Sequence, residues 1–277
     1  MPVELIDIIS EYVADEGDNN SLSALALASS TILHLVRSRR FCKIRFPRPT
    51  TCPVRAAANY SSFAELLTKT PSIGQYVRGI IIVFRDRSWY CDHPNSHHCD
   101  GLTLRRIYNE TMNALSLILT GIPRVCMITL LTKPHCIISW STIPFSTQSA
   151  LSWVCLQNSV ISLALEGVSD LPGGSLLASI LQLQNLTSLT WSRIPQNTVN
   201  LIPLQALTVS SFAKLRKLRL SVQSVFGTDP LSKLVDVASL VLRASAAKIE
   251  HFACYNWYCH KSNLENLPFS STYHILL

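Results

Sequence analysis

Leu186-Thr187-Ser188-Leu189-Thr190-Trp191 is the stretch on which the fold turns. Written as L-x-x-L-x-L, its apolar spacing recurs along the chain. The same spacing runs through Val77 to Ile82, Val125 to Leu130, Val160 to Leu165 and Leu215 to Leu220, with a weaker copy from Ile249 to Cys254. Two apolar positions one residue apart mark a single face of a strand, because side chains alternate across it. A third apolar residue, three positions earlier, closes the same side. One such strand is too short to stand alone, whereas a series of them can stack into a continuous sheet. A leucine-rich chain produces single matches by chance, but six copies, most preceded by a helical pattern, favour a true repeat. The expectation is an α/β fold: an irregular solenoid of helices backing a parallel sheet.

Composition is compatible with that reading. The chain has 277 residues, of which 48% are hydrophobic and only 15% are charged. No apolar run approaches the roughly 18 residues a membrane span needs, and Glu4 and Asp7 precede any basic residue, unlike a secretory signal. A cytoplasmic or nuclear location without a membrane partner is therefore expected. The nine cysteines are odd in number and scattered. They read as free thiols, most of them within apolar patterns such as those around Cys126 and Cys155. The sequons at Asn59, Asn109 and Asn185 then carry little meaning.

The formal net charge is +7, and basic residues concentrate at Arg37 to Arg40, Lys43 to Arg48 and Lys214 to Arg219. A basic balance can serve nucleic acid or an acidic partner. These cations form no interleaved aromatic-basic platform of the kind single-strand binders use, which argues against nucleic acid. The plainer reading is a solvated basic face.

The first 50 residues read as short helices. In the stretch from Met1 to Val13, Leu5, Ile8, Ile9 and Tyr12 fall at i, i+3, i+4 and i+7 on one face, with Pro2 where a first turn tolerates proline. A second helix is expected from about Ser21 to Val36, with Ser21 as N-cap and Leu22, Leu25, Leu33 and Val36 inward. So small a bundle is insecure alone, and its exposed apolar residues need either the repeats or another protein to cover them. Pro47, Pro49 and Pro53 suggest a linker over 47–60. Ser62 then opens a helix, with Glu65 at capping-box spacing. Thr111 to Thr120 reads as a helix with Met112, Leu115 and Leu119 inward, ended by Gly121. Further helices are expected at Ser149 to Asn158, Ser175 to Leu183 and Pro230 to Leu242.

Met1-Pro2-Val3-Glu4-Leu5, followed by Ile9 and then Leu22-Ser23-Ala24-Leu25-Ala26-Leu27-Ala28-Ser29, resembles an F-box. Met1 stands where that family usually has Leu, Ala28 stands where Val is common, and no Trp follows. A second resemblance lies downstream. Phe63-x-x-Leu66-Leu67 with Pro71-x-Ile73-Gly74-x-Tyr76-Val77-Arg78 resembles the region after the F-box in fungal, chiefly basidiomycete, F-box-like proteins with degenerate leucine-rich repeats. The resemblance implies an F-box-like module over 1–46 and a degenerate leucine-rich-repeat domain over 61–277. It implies docking onto a Skp-type adaptor of a cullin ubiquitin ligase through Pro2, Leu5, Ile9, Leu25 and Leu27, while the repeats hold a target protein.

Catalytic motifs are missing from the sequence: there is no Gly-x-Ser-x-Gly elbow, no His-Glu-x-x-His and no dinucleotide glycine pattern. Leu171-Pro172-Gly173-Gly174 lacks the Gly-Lys-Ser/Thr of a phosphate loop. An enzyme is not expected, and neither is a cofactor. The longest step between copies, from Val77 to Val125, holds Cys91, His93, His97, His98 and Cys99. Zinc could use such residues, but their spacing fits no standard finger, and a polar surface loop is the plainer reading. His251, Cys254, Cys259 and His260 form a second, weaker group. A repeat scaffold without ligase association is the alternative function, with a zinc- or nucleic-acid-binding protein behind it.

Overall fold

A computed structural model describes residues 3–16, 18–28, 30–46, 53–84, 101–132, 137–171, 180, 183, 185–195, 214–223 and 250–256. The fold is mixed α/β. Three helices come first: α1 (Val3–Asp15), α2 (Asn19–Ala28) and α3 (Ser30–Phe41). Strand β1 (Lys43–Phe46) follows directly, then α4 (Pro53–Lys69) and β2 (Gly79–Phe84). Helix α5 (Gly101–Thr120) leads to β3 (Met127–Thr132), and the short strand β4 (Ile138–Ser139) precedes α6 (Phe145–Cys155). The remaining described strands are β5 (Ser162–Glu166), β6 (Val168–Ser169), β7 (Ser188–Pro195), β8 (Lys217–Gln223) and β9 (His251–Asn256).

Seven strands form one sheet in the order β1-β2-β3-β5-β7-β8-β9, and every neighbouring pair is parallel. Strands β4 and β6 pair separately. The order in space is thus the order in the chain. The segments beginning at 160, 186 and 215 lie side by side as β5, β7 and β8, as the spacing predicts.

Register follows the apolar spacing residue by residue. Gly79, Met127, Ser162, Ser188, Lys217 and His251 are successive partners across the sheet, and each lies two residues after the start of its copy. The first apolar positions, Val77, Val125, Val160, Leu186 and Leu215, are all fully buried. The second and third sets are Ile80, Ile128, Leu163, Leu189, Leu218 and Ile82, Leu130, Leu165, Trp191, Leu220. None of these is more than 3% exposed. Ile249 of the sixth copy lies outside the described residues.

The turn before each strand is held the same way six times. One carbonyl accepts two N–H groups from the following segment. The Cys42 carbonyl takes those of Arg78 and Gly79, both at 2.8 Å, and the Cys126 carbonyl takes those of Ile161 and Ser162 at 2.9 and 3.1 Å. Arg78, Ile161, Thr187 and Arg216 repeat the arrangement. Backbone groups that are costly to bury unpaired are therefore satisfied from one segment to the next.

The core lies between the sheet and the helices. Tyr60, Ala64 and Leu67 of α4, Leu115, Ile118 and Leu119 of α5, and Leu151 and Val154 of α6 close over the apolar strand positions. Met112, Leu115 and Leu119 point inward as expected, although α5 begins ten residues before Thr111. Helix α6 begins four residues before Ser149.

Three expectations require correction. Helix α4 starts at Pro53, so much of the expected linker over 47–60 is helical, and Ser62 lies inside the helix. Proline punctuates a chain, but its fixed φ also suits a first helical position. The helix expected from Ser21 to Val36 is two helices, and the cap of the first is Asp18. Its carboxylate accepts from the N–H groups of Asn20 and Ser21 at 3.0 and 3.1 Å, which is N-cap geometry. Finally, the end of the N-terminal 1–46 segment is not helical: Lys43 to Phe46 is the first strand of the sheet. The helices expected at Ser175 to Leu183 and Pro230 to Leu242 fall largely or wholly outside the described residues.

Candidate functional site

The fold presents two surfaces with the makings of interaction sites. The first is the face of the sheet turned away from the helices. Strand alternation sends every second residue there, and parallel register lines these residues up in rows. One row reads Lys43, Gly79, Met127, Ser162, Ser188, Lys217, His251. The next reads Arg45, Ile81, Thr129, Ala164, Thr190, Arg219, Ala253. Lys43, Arg45, Met127, Lys217, Arg219 and His251 are exposed, and the side chains between them are half-buried. Beyond these two rows Val83, Leu131, Glu166 and Ser192 are half-buried, and Ser221, paired with Tyr255, is buried, so the exposed cations stand in the first two rows. Thus two of the three basic stretches in the sequence, far apart in the chain, reach the same face.

Sequence reading overlooked β1, and the signal was present. Phe41-Cys42-Lys43-Ile44-Arg45-Phe46 has the apolar spacing of the six copies, with Phe in place of Leu. Lys43 and Arg45 disguise it as a basic run. Phe46 stacks on Tyr60 at 4.7 Å between ring centroids and lies 5.5 Å from Phe63, so the edge strand is anchored by aromatic packing.

The second surface is the outer side of the N-terminal helices. These helices have a small core of their own, Leu22, Ile32 and Val36. Arg39 pairs with Glu11 at 3.4 Å, and Arg40 donates to Ser23 at 2.9 Å, tying α3 to α1 and α2. The group is fastened to the sheet by β1 and by His34 against the Tyr76 hydroxyl at 2.8 Å. The residues of α1 facing inward include Ser10, which is fully buried and donates to the Ile6 carbonyl at 2.8 Å. That orientation leaves the apolar stripe outside. Leu5, Ile8, Ile9 and Tyr12 are 49, 62, 41 and 65% exposed, and Leu27 of α2 is 89% exposed.

Of the residues expected to contact an adaptor, Leu5, Ile9 and Leu27 are therefore on the surface and Leu25 is half-buried. Pro2 lies outside the described residues. So do Cys91, His93, His97, His98 and Cys99, together with Cys259 and His260. Among the described residues, no cluster of three or more His, Cys, Asp or Glu side chains could hold a metal. Burial pushes the Cys155 thiol up to about 12, so it stays protonated at neutral pH and is no nucleophile. No described helix is long and apolar enough to cross a membrane. No protein-family model matches the chain, and no curated protein matches its sequence.

Proposed function

We propose that the chain is a non-catalytic recruiting subunit of an SCF-type cullin ubiquitin ligase. In this reading the N-terminal helices form an F-box-like module that docks onto a Skp-type adaptor. The sheet and its helices are an irregular leucine-rich-repeat solenoid that holds a target protein, in the cytoplasm or nucleus. Ligase chemistry belongs to the partners, and the chain contributes proximity between target and transferred ubiquitin.

One observation carries the proposal: the apolar side of α1 is turned outward while the helices' own core is closed on the other side. Exposed apolar surface of this kind marks an interaction site, and a helix face presented to a partner's groove is a common mode of recognition. The strands in chain order, all parallel, support the repeat reading. A layered array of that kind offers one long face rather than a pocket.

The test is direct binding of the full chain to a purified Skp-type adaptor, by calorimetry or size-exclusion co-elution. Binding is expected, and the double substitution Leu5→Asp with Ile9→Asp should abolish it. An intact chain that shows no affinity for the adaptor would sink the ligase role and leave a repeat scaffold that binds proteins without it.

A further inference from the structure

We infer that the open face of the sheet accepts an extended acidic protein segment whose charges are divided between two ends, with small or apolar residues between. The inference rests on the reading of this face as the surface that holds a target, and it adds the chemistry of that target. Cations occupy both ends of the face. Lys43 and Arg45 stand on the edge strand β1, and Lys217 and Arg219 stand on β8 with His251 beside them on β9. All five are exposed. Among the described residues, Lys43, Arg45 and Lys217 enter no ion pair. Between the two ends, the same rows hold neutral residues such as Ile81 and Ala164.

Five strand steps separate β1 from β8. At about 4.8 Å per step, the two cationic ends are about 24 Å apart. An extended chain covers that distance in roughly seven or eight residues at about 3.3 Å each. Acidic groups so spaced would meet both ends at once, while apolar residues met Ile81 and Ala164. Complementary potentials of this kind steer encounter and fix register. Nucleic acid fits less well. Its phosphates are continuous, so several would lie over the neutral centre without a counter-charge, and the one ring in these two rows, His251, stands on the edge strand rather than along a path of stacked bases.

The experiment uses the full chain and a fluorescein-labelled peptide, Glu-Glu-Ser-Leu-Ala-Leu-Ser-Ala-Glu-Glu, read by anisotropy. Its Glu-to-Gln counterpart and a twelve-nucleotide single-stranded DNA serve as competitors. The acidic peptide should bind at least about tenfold more tightly than the Gln version, and affinity should fall as salt rises. Lys43→Glu and Lys217→Glu should each weaken it several-fold without changing the circular dichroism spectrum. Equal binding of the Gln peptide, tighter binding of the DNA, or no effect of either charge reversal overturns the inference. Adaptor binding by the same preparations separates the two claims. A chain that holds the adaptor but ignores the peptide retains its proposed role and loses this one. A chain that holds the peptide but not the adaptor does the reverse.

Discussion

The sheet and the N-terminal helices treat apolar residues in opposite ways. In the sheet, residues spaced three and then two apart are sealed: Val125, Ile128 and Leu130 are at most 1% exposed. In α1, residues spaced three and four apart are just as regular, yet Leu5, Ile8, Ile9 and Tyr12 face outward. Periodicity identifies the apolar side of an element. It does not say whether the surface that covers that side belongs to the same chain. The strands find their cover in α4, α5 and α6, whereas α1 turns Ser10 inward and leaves its stripe uncovered among the described residues.

Substitutions in the sealed region should produce the largest effects. Leu130 sits in the third strand with no exposed surface. Leu130→Ala should cost about 2–5 kcal/mol, from lost burial together with the cavity left behind. Chemical denaturation checks this, and a loss below about 1 kcal/mol would mean that the strand is not packed as described. Gly74→Ala follows. A Cβ at Gly74 would stand 2.0 Å from the carbonyl oxygen of Gly121. That oxygen is backbone, so the turn after α4 and the end of α5 must part, at a cost of about 1–3 kcal/mol. Gly79→Ala is the matched control, because the new methyl would meet side chains rather than backbone, the terminal methyl of Met127 at 3.2 Å and Cγ of Lys43 at 3.3 Å. If the two substitutions cost the same, the close approach of the Gly74 turn to Gly121 is not what fixes that glycine.

The contrast between the regions also sets how much was legible in the sequence. The strands could be read because burial on one face imposes an alternation that a single chain records. Register could be read because the same three positions recur, which is why all six copies start two residues before their strands. Helix boundaries were less legible. Pro53 reads as a break or as a first turn, and only packing of α4 against α5 decides. The split between α2 and α3 was hidden because the expected inward positions Leu22, Leu33 and Val36 remain nearly in phase across it. β1 was missed because charge at Lys43 and Arg45 masked the apolar spacing of Phe41, Ile44 and Phe46. The open face of the sheet was legible only as two separate basic runs. Their meeting on one surface is a property of register, which no local window contains.

A smaller effect is expected at the cap of α2. Hydrogen bonds from the Ser21 hydroxyl and then its N–H hold the Asp18 carboxyl below its ordinary value of 3.8. A carboxylate held low stabilises the fold above that ordinary value, and the contribution is lost as pH falls through the lowered one. Thermal midpoints should therefore fall at the acid end partly through Asp18. Asp18→Asn retains a capping oxygen but cannot titrate, so its midpoint should change less steeply below about pH 4. Identical acid limbs for the two proteins would show that the cap is not among the groups titrating there.

The smallest change in stability is expected where the effect on binding is greatest. Leu5→Asp with Ile9→Asp places two carboxylates on a face that the chain itself leaves open. Neither side chain fills the helical core around Leu22 and Val36, and Leu5 lies in the first turn of α1, where negative charge suits the helix dipole. Denaturation of the isolated chain should shift by no more than about 0.5 kcal/mol per site, as for exposed positions generally. A shift as large as that of Leu130→Ala would mean that this stripe is already packed against the chain's own residues, and the N-terminal helices would then have no free surface with which to hold an adaptor.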